Sequence, residues 1–125
     1  MWPFRDRRPA WQRAEAMAAR YLRRRGYRIL HRNLRLDRFE LDIVAQKRDT
    51  VVFVEVRSRT DENISAPEET VRYTKRQHLR AAARRYVARF GKPNLYYRFD
   101  VMGVVMEANK RVRIKHYENA FTLDE

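Results

Sequence analysis

Residues 39–57 constrain this chain more than any other stretch. Phe39–Ala45 and Val51–Arg57 are apolar, largely β-branched runs, the composition of buried strands. Acids nevertheless sit inside both. A carboxylate within a sheet needs a cation, a metal or dense hydrogen bonding. Side chains alternate between faces along a strand. Alternation predicts Glu40, Asp42 and Val44 on one face of the first run, and Val51, Phe53, Glu55 and Arg57 on one face of the second. The polar residues Gln46–Thr50 between them are hairpin-sized, so the runs should pair antiparallel. If the charged faces coincide, Asp42 and Glu55 meet beside Arg57, a metal-site geometry with a cation next to it.

The rest of the chain frames this hairpin. Met1–Ala10 is basic, holds two prolines, and reads as a flexible arm. Ala10–Arg25 has the spacing of an amphipathic helix in Trp11, Ala14, Ala18, Tyr21 and Leu22, with Pro9 placed to start it and Gly26 to stop it. Glu15 falls on the edge of that stripe, and spacing alone reads it as a glutamate reaching water. Tyr27–Leu36 reads as a first strand and Ser58–Pro67 as a polar loop. Pro67-Glu68-Glu69 reads as the acidic first turn of a second helix that ends at Gly91. The stripe of that helix is Val71, Lys75, His78, Leu79, Ala82, Tyr86 and Phe90, which places Lys75 and His78 on its inner side. Tyr96–Met106 and Val112–Tyr117 complete the strands, and Glu118–Glu125 is left as a C-terminal tail. The order is helix, three strands, helix, two strands. It describes one α/β domain over residues 11–117, a mixed sheet flanked by helices, with the second helix as the crossover that permits a parallel pairing.

Charge narrows the partners. The formal net charge is +13, and its sign is segregated. Residues 1–35 hold eleven basic and two acidic residues, 36–71 five and nine, and 72–89 seven basic and no acid. Basic segments of this kind neutralise a phosphate backbone. Nucleic acid, DNA first, is the expected partner, and a membrane is not. No apolar run approaches the roughly 18 residues of a membrane span, and the first ten residues lack the apolar segment of a secretory signal. There is no cysteine, which excludes disulfides and zinc–thiolate centres and agrees with a cytoplasmic setting. With three glycines there is no Gly-rich phosphate loop, and no G-x-S-x-G elbow occurs. His31, His78 and His116 are dispersed and read as surface or phosphate-contacting groups rather than metal ligands.

What remains is an acidic set, Glu15, Glu40, Asp42 and Glu55, with Arg57. Phosphodiester hydrolysis at neutral pH requires hard oxygen ligands for Mg²⁺ or Mn²⁺ and a cation beside the phosphate. An aspartate followed on the next strand by Glu-x-Lys/Arg supplies both. The same spacing fits a ladder of cross-strand salt bridges on a solvated face, so the residues alone leave both readings open.

Ala14-Glu15, Arg24–Asn33, Phe39–Ala45, Val52–Arg59 and Arg98–Val101, taken in order, resemble the bacterial YraN-like family. That family is similar to Holliday-junction resolvases and to the PD-(D/E)XK restriction-endonuclease-like superfamily. The resemblance runs from about Trp11 to Tyr117. It implies a restriction-endonuclease-like core and catalytic roles for Glu15, Asp42, Glu55 and Arg57. Asp42 and Glu55 would ligate Mg²⁺ or Mn²⁺ directly, the Val56 carbonyl would be a third oxygen, and Glu15 would act through a water. Glu40 would stand behind the ligands. Two departures bear on function. Phe39 stands where the family has glycine, which implies a different substrate approach. Arg57 replaces the superfamily lysine and stays protonated, so it cannot serve as a base. The candidates for phosphate contacts are Arg23, Arg24, Arg25, Lys75, Arg76, Arg80 and Arg84. Related resolvases are dimers, so a homodimer is allowed, although no segment marks its face. Three functions stay open: an endonuclease for branched or repair-associated DNA, a catalytically inactive nucleic-acid-binding module, and a basic protein-interaction module.

Overall fold

The structure, a computed structural model, describes residues 8–59, 73–107, 109 and 111–123. The basic arm up to residue 7, most of the polar loop and the acidic helix opening at Pro67–Glu69 lie outside the described residues. The elements are α1 (Ala10–Arg24), β1 (Arg28–Leu36), β2 (Phe39–Lys47), β3 (Thr50–Arg59), α2 (Tyr73–Phe90), β4 (Tyr96–Met106) and β5 (Val112–Phe121). They form one five-stranded sheet in the order β1-β2-β3-β4-β5. The pairs β1–β2, β2–β3 and β4–β5 are antiparallel, and β3–β4 is parallel. This is the mixed, restriction-endonuclease-like arrangement expected from the sequence.

Two strands run further than their composition suggests. β3 continues through Ser58 and Arg59, which pair with Val104 and Val105. β5 continues through Glu118–Phe121, the start of the expected tail, and Phe121 stacks on Phe99 at 4.6 Å. Pairing with the long, apolar β4 holds both extensions in place.

The two helices cover opposite faces. On one, Ala14, Ala18, Ala19 and Leu22 of α1 pack over Ile43, Ala45, Val52, Val54, Met102 and Val104. The alanines let the helix lie close to the strands. On the other, Leu79, Ala82, Ala83 and Tyr86 of α2 pack over Leu41, Val44, Val51, Phe53, Phe99 and Val101. Trp11, expected on the buried stripe, is instead 50% exposed. The stop at Gly26 is as expected. Its φ is +90°, Gly26 N–H donates to the Arg23 carbonyl and Tyr27 N–H to the Leu22 carbonyl. These are the two bonds of a Schellman cap, and Tyr27 and Leu22 supply its apolar contact.

One local irregularity positions the site. Phe39, Leu41 and Val44 all face α2, whereas Ile43 faces α1. Alternation therefore slips at Asp42, and Glu40, Asp42 and Val44 do not share a face as strict alternation predicted. Opposite the slip, between the pairs Arg32↔Ile43 and Leu34↔Leu41, Asn33 adopts a φ of +50°. On the other side, the β2–β3 ladder stops at Ile43↔Val54. Asp42 thus stands where the sheet opens.

Candidate active site

At this opening a side chain takes over from the backbone. Val56 N–H, which has lost a main-chain acceptor on β2, donates to Asp42 Oδ2 at 2.9 Å. Asp42 also hydrogen-bonds Glu55. Burial first, then the hydrogen bond and the charge of Glu55, raise the Asp42 carboxyl well above the usual range, against the Val56 N–H and Lys75. Glu55 is only 5% exposed, and Lys75 Nζ from α2 lies 3.2 Å from its Oε2.

Glu15 enters from the opposite helix. The small residues around it bring α1 down onto the sheet, so Glu15 is 5% exposed and does not reach water as spacing alone suggested. Its pKa is raised to about 7, chiefly by burial and then by the charge of Asp42, against a hydrogen bond from Asn33 and the charge of Arg32. Glu15 Oε1 is buried without a hydrogen-bond partner among the described residues. Three carboxyl groups therefore border one gap in the sheet, Glu15 from the α1 side and Glu55 from the α2 side.

A family model described as "Uncharacterised protein family UPF0102" matches residues 14–104, a span that includes every one of these acids. The chain belongs to family UPF0102. It is 38% identical to a UPF0102 protein of Caldicellulosiruptor saccharolyticus over 93% of this chain and 99% of that one. It is 44% identical to one of Pelotomaculum thermopropionicum over 86% and 90%. The YraN-like resemblance read from the motifs is thus the family found. Among solved structures, SfsA of Pyrococcus furiosus in complex with Ca²⁺ aligns at 16% identity and a TM-score of 0.42. The alignment covers 86% of this chain and 63% of that protein, so the chain spans less than two thirds of its length.

The other expected site residues of this UPF0102 chain divide by position. Glu40 is at the margin, exposed and 3.9 Å from Arg35. Its charge is the weakest of those acting on Glu15. Arg57 follows Glu55 on β3 and is half-buried. Phe39 packs away from the gap, in the core under α2, with its ring 5.6 Å from His78 and the Arg85 guanidinium 4.6 Å above it. Arg23 and Arg24 are exposed at the end of α1, and Arg25 stacks on Tyr21 at 3.4 Å. Arg76 is half-buried and Arg84 exposed, the latter donating to the Leu123 carbonyl. Arg80 corrects the sequence reading. It is fully buried, its Nε donates to the Thr122 carbonyl at 2.7 Å, and it cannot meet a phosphate from there.

Sequence reasoning missed a second polar centre. Asp100 on β4 is completely buried. It accepts two hydrogen bonds from Arg98, one from Asn119 N–H, and lies 2.6 Å from His116 Nε2. Arg98 also donates to Tyr27 Oη. His116 is therefore a partner of Asp100, not the surface or phosphate-contacting group expected. The alternation Arg98, Asp100, Met102, Val104 along one strand face was the available signal, since a charged pair there must be satisfied internally. Among the described residues, no helix is long and apolar enough to cross a membrane.

Proposed function

We propose that this chain is a cytoplasmic, divalent-metal-dependent endonuclease of the PD-(D/E)XK kind, acting on DNA of branched or repair-associated form. The observation that carries this reading is the pair Asp42–Glu55 at the opened β2–β3 ladder, a half-buried and a buried carboxyl held together with a backbone N–H already bound to one of them. Carboxyl groups brought this close together are stabilised by a shared cation.

The donor set fits Mg²⁺ or Mn²⁺. Among the described residues no three His, Asp or Glu side chains form a ready-made ligand group. A small hard cation that keeps several of its waters needs only one or two carboxylates. In a strand the N–H and carbonyl of one residue face the same neighbour, so the Val56 carbonyl borders the gap as a third oxygen. Glu15, with an oxygen lacking a partner among the described residues, suits a role through water. When bound, such an ion supplies an acidified water and neutralises charge on the phosphoryl group. The chain's own groups do the rest. Asp42 and Glu55 fix the place of reaction, Val56 N–H holds Asp42 in position, and the exposed arginines of α1 hold the DNA backbone.

The test is cleavage of a four-way junction in Mn²⁺ or Mg²⁺. Asp42→Ala and Glu55→Ala should each abolish it while leaving binding of the same DNA intact. Salt-sensitive binding with no cutting under any divalent ion would favour the inactive module, a reading supported by Arg57, which cannot give up a proton.

A further inference from the structure

We propose that Lys75, rather than the motif-position Arg57, is the cation this site brings to the scissile phosphate, and that its salt bridge to Glu55 is a resting position from which an entering divalent ion displaces it. The inference rests on the nuclease reading above and adds the control of metal entry to it.

The two partners of this bridge are unequal. Glu55 is 5% exposed and its carboxyl is hydrogen-bonded with Asp42, so it is the more confined of the two. The Lys75 side chain is 42% exposed and hangs by a flexible four-carbon stem from the third residue of α2. Lys75 is the member that moves. An ammonium 3.2 Å from Oε2 and a dication held by the same oxygen would repel one another in a partly buried gap. Loading the site releases a compact positive charge at its mouth, where an anionic phosphate arrives. Arg57 shares the Glu55 face by alternation, but it is half-buried and already engaged by neighbouring groups. Its planar fork is less able than an ammonium to change partners. Lys75 acts here by charge alone and transfers no proton.

The experiment compares wild type, Lys75→Met, Lys75→Arg and Arg57→Lys in the full chain. Mn²⁺ affinity is measured by calorimetry in one buffer throughout, and kcat and KM are measured for DNA cleavage. Circular dichroism checks that each variant is folded. Lys75→Met should bind Mn²⁺ about threefold or more tightly, and lose about tenfold or more in kcat with little change in KM. Lys75→Arg should recover part of kcat, and Arg57→Lys should not raise it. Wild-type metal binding and cutting that Lys75→Met leaves untouched would overturn this inference alone, as would a gain in cutting from Arg57→Lys. A wild type that binds no Mn²⁺ and cuts nothing would overturn the nuclease reading, and this inference with it.

Discussion

At the scale of single residues, the acids of this fold are held in opposite ways, and pH separates them. Glu15 is raised to about 7. Its folded state therefore holds a proton that the unfolded chain has lost, and without metal its contribution to stability falls as pH rises from about 4.5 to about 7. Glu15→Gln should remove that slope and leave the variant roughly 1–3 kcal/mol more stable than wild type at pH 8, as read by urea unfolding. Asp100 behaves in reverse. Burial pushes its carboxyl up, but His116, Arg98 and the Asn119 N–H outweigh burial and hold it below the usual range. Its contribution is present above the ordinary carboxylate range and is lost as pH falls through the depressed folded value. Asp100→Asn should cost about 3 kcal/mol at neutral pH, because it strands Arg98. That deficit should shrink in acid, and the same unfolding curves measured down the pH scale check it.

At the scale of elements, most of the fold was legible and most of the site's surroundings were not. The β-branched runs of β2 and β3, the Gly stops and the helical stripes each state a local preference that packing then honours. Asp42 and Glu55 were legible as a pair for the same reason, since hairpin pairing brings neighbours in sequence together. For Glu15 the spacing alone misled, and for Lys75 the stripe gave the inner side of α2 but not its contact with Glu55. Their places depend on how closely two helices settle on opposite faces, and no periodicity encodes that distance. The face slip at Asp42, opposite the positive φ of Asn33 on another strand, was hidden because nothing within Phe39–Ala45 marks it. Arg80 misled because charge says where a residue prefers to be, while its position beside Leu79 and Ala82 on α2 decided where it is. The cap at Gly26 gives a direct check. Gly26→Ala forces a side chain into φ +90° and should lower stability by about 1–2 kcal/mol. Thermal melting reads this, and α1 should detach before the sheet does.

At the scale of the whole molecule, the +13 charge is shared between the outer surface and the interior. Arg23 and Arg24 belong to the first and Arg80 to the second. Replacing Arg23 and Arg24 together with glutamine should weaken DNA binding and reduce the slope of log affinity against log salt by about 2, measured by fluorescence anisotropy. Arg80→Met should leave that slope alone and show its effect in stability instead. The opening between β2 and β3 has a mechanical consequence as well. Among the described residues, Glu15 of α1 lies against Asp42 from one face of the sheet and Lys75 of α2 lies against Glu55 from the other. An ion lodged there would tie α1 to the sheet through Glu15 while taking the place of the Lys75 contact, so loading the site would fasten one helix and loosen the first turn of the other.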